Sequence, residues 1–193
     1  MVIPSLARLG GLLASAATVV AVALVPGTAS AQTQACGNTP GTAASFCTGL
    51  HTAQATARYL SVNAASPVAG SPLVAVAKAF SRRQDFQVVT VATGVFTIRW
   101  APRGVISNMC ATQTGGVNSR VRLAVCNGSP AQDWSAVANS AGGFNVVNVL
   151  SGLALTQAPA GTTQVQVRGF TTGTSLNKRW DTSPCAGFAG CPV

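Results

Sequence analysis

Val121-Arg122-Leu123-Ala124-Val125-Cys126-Asn127-Gly128, followed by Gln132-Asp133-Trp134, is the stretch on which the fold turns. Val121, Leu123 and Val125 alternate with Arg122 and Ala124, the period of two that puts one set of side chains on the buried face of a strand. Asn127-Gly128 ends the run, because both residues accept the backbone angles of a tight turn. An aromatic residue follows six positions later.

Working outward, the same features recur in the same order. An early strand reads Tyr59-Leu60-Ser61-Val62, Cys110-Ala111-Thr112 and Ala154-Leu155-Thr156. A middle strand centres on Val74/Val76, Val121/Leu123 and Val165/Val167. The aromatic anchor reads Gln84-Asp85-Phe86, Gln132-Asp133-Trp134 and Lys178-Arg179-Trp180. The aromatics stand 48 and 46 residues apart, and they lie 26, 23 and 25 residues beyond Leu60, Ala111 and Leu155. Ten residues past the aromatic, Phe96 and Phe144 mark one more strand in two copies. Self-similarity at a fixed period is the mark of a repeat architecture. No stretch after residue 31 carries a sustained helical period, so the class is all-β.

One unit of four short strands cannot bury both faces of its own hairpins. Three units around a pseudo-threefold axis share a core. In that arrangement Phe86, Trp134 and Trp180 are equivalent buried aromatics, each contributing about 2–3 kcal/mol of apolar burial.

The N-terminus reads as an export signal over residues 1–31. Arg8 supplies the positive region, Leu9 to Pro26 carries no charge, and Ala29-Ser30-Ala31 is an A-x-A cleavage site. The expected mature start is Gln32, with a membrane anchor or an uncleaved signal as the competing readings. The remaining 162 residues fit one domain. They contain all six cysteines, which behind an export signal imply three disulfides. Six cysteines allow about 15 pairings, and sequence alone does not choose among them.

The charges narrow the function. The expected mature chain holds eleven Lys and Arg against three acids, Asp85, Asp133 and Asp181, and the whole chain has no Glu. Each acid sits beside a repeat aromatic or, at Asp181, directly after one. Hydrolases rely on paired carboxylates or on a nucleophile with a base and an orienting acid. With His51 the only histidine, neither set is easily assembled, so catalytic residues, cofactors and metal are expected to be none. Arg82-Arg83, Arg99, Arg103, Arg120, Arg122, Arg168 and Lys178-Arg179 make a cationic exterior. Such a surface keeps a protein soluble or attracts anionic partners. Nucleic acid is not expected, because no recognition helix is present.

These repeats resemble the Q-x-W units of the ricin-B-type lectins, a β-trefoil family, over roughly Arg58 to Asp181. The middle unit carries the likeness best: Asn108-Met109-Cys110-Ala111-Thr112 is similar to the family's G-K-C-L-D strand, and Val121 to Gly128 to its V-Q-L-x-x-C-N-G strand. The resemblance implies a single β-trefoil of three roughly 46–48-residue repeats and a Cys110–Cys126 disulfide, whose separation of 16 suits two adjacent strands. It also implies a secreted, non-catalytic glycan- or cell-surface-binding protein. Where the family's sugar-binding Asp stands, this chain has Ser61, Thr112 and Thr156, and where its Asn stands, Arg83, Ala131 and Asn177. The candidate ligand residues are therefore Thr156, Phe170 and Asn177 in the third unit, with Thr112 and Gln132 in the second. The accessory subunits of cytolethal distending toxins also resemble these trefoils, so a toxin partner subunit is the alternative reading. An enzyme inhibitor on a trefoil scaffold is another.

The third unit ends short of its last strand. Phe46 precedes Leu60 by 14 residues, close to the 15 between Phe96 and Ala111. Residues 32–57 are thus expected to supply the closing strand to a trefoil of residues 58–193. Cys36, Cys47, Cys185 and Cys191 would staple the two ends.

Overall fold

The computed structural model describes residues 45–53, 56–79, 81–102, 105–158, 163–169 and 176–183. Twelve strands run through them: β1 (Ser45–Thr52), β2 (Tyr59–Val62), β3 (Leu73–Val76), β4 (Phe86–Ala92), β5 (Val95–Trp100), β6 (Met109–Gln113), β7 (Val121–Val125), β8 (Asp133–Ala138), β9 (Phe144–Asn148), β10 (Leu153–Gln157), β11 (Val165–Gly169) and β12 (Arg179–Ser183). Single 3-10 turns at Arg82–Gln84, Pro130–Gln132 and Leu176–Lys178 precede β4, β8 and β12.

Six strands close on themselves. Antiparallel pairing runs β1–β4, β4–β5, β5–β8, β8–β9, β9–β12 and back from β12 to β1. A closed barrel leaves no edge to aggregate. The other six strands form three hairpins, β2–β3, β6–β7 and β10–β11, that cover one end. This is a β-trefoil with three four-strand units.

Threefold-related residues fill the core in layers. Phe86, Trp134 and Trp180 are each 0% exposed. Leu50, Ile98 and Val146 form a second layer on the neighbouring barrel strands. In the caps, Leu60 faces Ala75 across one hairpin while Ala111 faces Leu123 across the next. A large–small pair has become a small–large pair, which conserves local volume and keeps the core filled. Each Trp indole also has its N–H satisfied: Trp134 Nε1 donates to Ala111 O at 3.1 Å and Trp180 Nε1 to Leu155 O at 2.9 Å.

Two registers differ from the sequence-based expectation. In β3 the core residues equivalent to Val121 and Leu123 are Leu73 and Ala75, both essentially fully buried, whereas the sequence pointed to Val74 and Val76. A run of four apolar residues has no alternation to fix its face, so a slip of one position was invisible. In β1 the position equivalent to Phe96 and Phe144 is Thr48: Thr48 lies opposite Phe86 as Phe96 lies opposite Trp134 and Phe144 opposite Trp180. Phe46 is two residues away, opposite Val88. β1 itself lies between β12 and β4, where the third unit requires its fourth strand.

Cys110 and Cys126 are disulfide-bonded, with Cα atoms 5.1 Å apart, tying β6 to the residue after β7. Cys36, Cys185 and Cys191 lie outside the described residues, and Cys47 is placed only by the backbone of β1.

Candidate functional site

The glutamine of the repeat anchor is a structural latch. Gln132 is 1% exposed. Its Oε1 accepts from Asn127 N at 2.9 Å, and its Nε2 donates to Val125 O at 2.9 Å and to Thr112 Oγ1 at 3.1 Å. Gln84 repeats the pattern, accepting from Ala79 N and donating to Ala77 O, both at 2.8 Å. An amide side chain is needed because it must accept and donate together. Lys178, at the third position, offers donors only.

Gln132 thus holds the chain after β7 against the unit, and it also lines the groove between the first and second units. Thr156 is 0% exposed and its hydroxyl donates to Ala154 O at 2.9 Å. Ser61 is buried too. Thr112 is half-buried, donating to Cys110 O at 3.0 Å while accepting from Gln132. Asn177 is half-buried and donates to Gln157 O at 3.4 Å. Phe170 lies outside the described residues. Of the four described candidates, Thr156 is buried, Thr112 and Asn177 are half-buried, and Gln132 lines a groove at the surface. A Thr in place of the family's Asp is short enough to turn its hydroxyl to a nearby carbonyl, and it has done so at both Thr112 and Thr156.

A different constellation faces the surface at the junction of the first and second units. β5 and β8 pair there, placing Thr97 opposite Asp133, with Arg99 two residues further along β5. The two flank a groove of about 380 Å³ that also reaches the Cys110–Cys126 disulfide, with Val91, Val95 and Val149 along it. Arg99 Nε donates to Thr97 Oγ1 at 3.4 Å, which orients the guanidinium along the strand. Arg99 and Asp133 are both half-buried, while Val91 and Val149 remain 48% and 47% exposed at the rim. Thr97 is itself buried at 4% exposure, so the cation and the anion between aliphatic walls are the groups that can donate to and accept from a polyol and cover its C–H faces. This is the usual composition of a small-ligand site.

Sequence reasoning treated Asp133 as a repeat marker and Arg99 as part of a general cationic surface. Their proximity depends on the β5–β8 register, which joins residues 36 positions apart in different units. No local pattern encodes that. A second cavity, about 360 Å³, opens at the barrel mouth between Leu50, Val88, Phe96, Ala136 and Phe144, with Thr90 and Thr182 its hydroxyl-bearing residues. It offers no charged group. Among the described residues, no cluster of three His, Cys, Asp or Glu is placed to hold a metal. Also among the described residues, no helix is long and apolar enough to cross a membrane.

Residues 82–169 match the family of ricin-type beta-trefoil lectin domain-like sequences. Solved structures share the fold at low identity. A designed threefold-symmetric protein, ThreeFoil, superposes with a TM-score of 0.61 at 18% identity, over 70% of this chain and 96% of that one. A Polyporus squamosus lectin bound to a human-type influenza-binding epitope superposes at 0.58 with 13% identity. It is covered over 48% of its length by 70% of this chain, so the chain spans about half of that lectin. The Haemophilus ducreyi cytolethal distending toxin superposes at 0.57 with 15% identity, over 72% of this chain and 83% of that one. No curated protein matches by sequence.

Proposed function

We propose that this chain is a secreted, non-catalytic binding module that recognises glycan on cell surfaces or extracellular polymers. One observation carries the reading. The groove built from Thr97, Arg99 and Asp133 lies wholly within residues 82–169, the segment that matches the ricin-type lectin-like family. Its paired charges and aliphatic walls suit a polyhydroxylated ligand, and the lectin of similar fold binds a sialylated glycan epitope.

The absence of catalysis rests on the acids. The chain has only Asp85, Asp133 and Asp181, and the threefold repeat puts one in each unit. Paired carboxylates on one substrate are what glycoside hydrolysis uses. Export rests on the A-x-A site before Gln32 and suits the Cys110–Cys126 disulfide, which persists in oxidising compartments. We accordingly assign residues 1–31 to a signal peptide, 32–57 to an N-terminal extension that contributes β1, and 58–193 to the trefoil. In the third unit, Asn177 and Phe170 are proposed as a secondary contact, and Thr112 as a contact in the second.

The test is retention of purified residues 32–193 on immobilised glycans and on intact cells, with hydrolysis of the same glycans followed in parallel. Retention without product is expected. No retention on either support, or measurable turnover, overturns the reading. The likeness to cytolethal distending toxin structures favours one alternative, an accessory binding subunit. That reading requires a second polypeptide that co-elutes with the chain from native culture medium.

A further inference from the structure

The hairpin-covered end of the trefoil carries a ring of six side chains about the pseudo-threefold axis. Isolated bridges link the middle strands in a cycle: Pro72 to Arg122, Arg120 to Gln166, and Gln164 to Val74. Each of β3, β7 and β11 thus gives two ring positions, one at the residue just before the strand and one on it. Val74 is buried at 5% exposure, whereas Arg120 is exposed and Arg122, Gln164 and Gln166 are half-buried. The backbone of this ring is threefold, but its chemistry is not. The first unit supplies Pro72 and Val74, the second Arg120 and Arg122, and the third Gln164 and Gln166.

The strand period makes this asymmetry legible. Val121 and Leu123 are 0% exposed in the core, so Arg120 and Arg122 must point the other way, with Cα atoms ~7 Å apart. Both guanidiniums are held in place. Arg122 Nη1 donates to Gly70 O at 2.8 Å, and Arg120 Nε donates to Gln164 Oε1 at 3.1 Å. Gln166 Nε2 reaches the same Gln164 oxygen at 3.3 Å. Each of these bonds uses one of the five N–H groups of its guanidinium. No carboxylate balances the pair from within the ring, because the three acids of the chain are Asp85, Asp133 and Asp181, all at or beside the barrel strands β4, β8 and β12. Two pre-oriented forks of like charge, uncompensated and flanked by glutamine amides, form a site for an oxyanion carried on a hydroxyl-bearing chain.

We propose that this ring binds sulfated or otherwise anionic glycan through Arg120 and Arg122, apart from the groove between the first and second units. That the carrier is a glycan rests on the function proposed above, whereas the anion site rests on the ring alone. The experiment measures binding of residues 32–193 to heparin, used as the sulfated probe, at moderate and high salt. Arg120→Gln/Arg122→Gln is expected to weaken binding at least about tenfold, as two charge-assisted contacts are lost. Arg82→Gln/Arg83→Gln removes the same charge from an exposed turn and should change it less than about twofold, as screened surface charge does.

Equal losses in the two double variants, or none in the first, overturn the proposal. Single Arg120→Gln, at an exposed position, should show part of the loss with an unchanged melting temperature, which separates binding from folding. Arg120→Lys/Arg122→Lys retains the charge without the fork, so wild-type affinity in that protein would also overturn the assignment. Phosphatidylserine vesicles serve as the competing anion. If they displace heparin and bind more tightly, the glycan assignment fails. Neutral glycans retained by Arg120→Gln/Arg122→Gln would show that the groove is separate. Their loss together with heparin would contradict two distinct sites.

Discussion

Replacing Trp134 by Ala removes the best-defined aromatic of the core, and its cost follows from the contacts. The side chain is 0% exposed and donates its indole N–H to Ala111 O at 3.1 Å. A Trp side chain buries about 150–250 Å². At about 25 cal/mol per Å² the transfer loss would be roughly 4–6 kcal/mol before the retained methyl and local relaxation reduce it. Trp→Ala substitutions in cores cost about 3–5 kcal/mol, and a carbonyl left without its donor costs about 1–3 kcal/mol more in a site that cannot relax. We therefore expect a loss of about 4–8 kcal/mol, out of a total of about 5–15 kcal/mol for a domain of this kind. For a chain of this length, that is a fall of roughly 8–30 °C in melting temperature. The first unit supplies an internal control, since Phe86 occupies the equivalent position without an N–H donor. Trp134→Phe should thus cost only about 1–2 kcal/mol, chiefly the stranded Ala111 carbonyl. Thermal and denaturant unfolding of residues 32–193 measures both. A Trp134→Ala protein that melts with the wild type would refute a structural role for the repeat aromatic.

Gln132→Ala should lose about 2–4 kcal/mol, because it strands the Asn127 N–H and the Val125 carbonyl together, and denaturant unfolding reads this directly. Gly143 has φ of 68°, and a Cβ there would meet Trp180 O at 2.6 Å, so Gly143→Ala should cost at least about 2 kcal/mol. Gly142→Ala carries only the left-handed strain, with nothing closer than Arg179 Nη2 at 3.7 Å, and should cost about half as much by the same assay. N-terminal sequencing of protein from culture medium should begin at Gln32, and a start at Met1 would contradict cleavage.

The fold was legible wherever a repeat combined alternation with a distinctive anchor. The Val121–Gly128 run and Trp134 located β7 and β8, and the same spacing placed Phe86 and Trp180 in the core. Legibility failed where the side chains carried no contrast. Leu73-Val74-Ala75-Val76 is apolar throughout, so its face was fixed only by packing against β2 and by the ring at the axis. Phe46 attracted the register of β1 because it is aromatic, yet the barrel accepts Thr48 at that place. Among the ligand candidates, Gln132 lines the groove while Thr156 turns its hydroxyl inward. A sugar-binding position was inferred for Thr156 from its place after Ala154-Leu155, but replacing a carboxylate by a short hydroxyl allows the side chain to bond its own strand. The rest of the groove was unreadable for the opposite reason. Arg99 and Asp133 are ordinary charged residues in the sequence until barrel closure pairs β5 with β8.

The most direct measurement is a titration of a glycan retained by the wild-type protein against Asp133→Asn, with melting temperatures taken on the same samples. Asp133 is half-buried in the groove, and the substitution keeps its shape while removing the charged acceptor that ligand hydroxyls would use. A charge-assisted hydrogen bond is worth about 1.5–3 kcal/mol, so affinity should fall by roughly 10- to 100-fold with the melting temperature unchanged. Glycan binding undiminished in Asp133→Asn would contradict the assignment of the groove as the binding site.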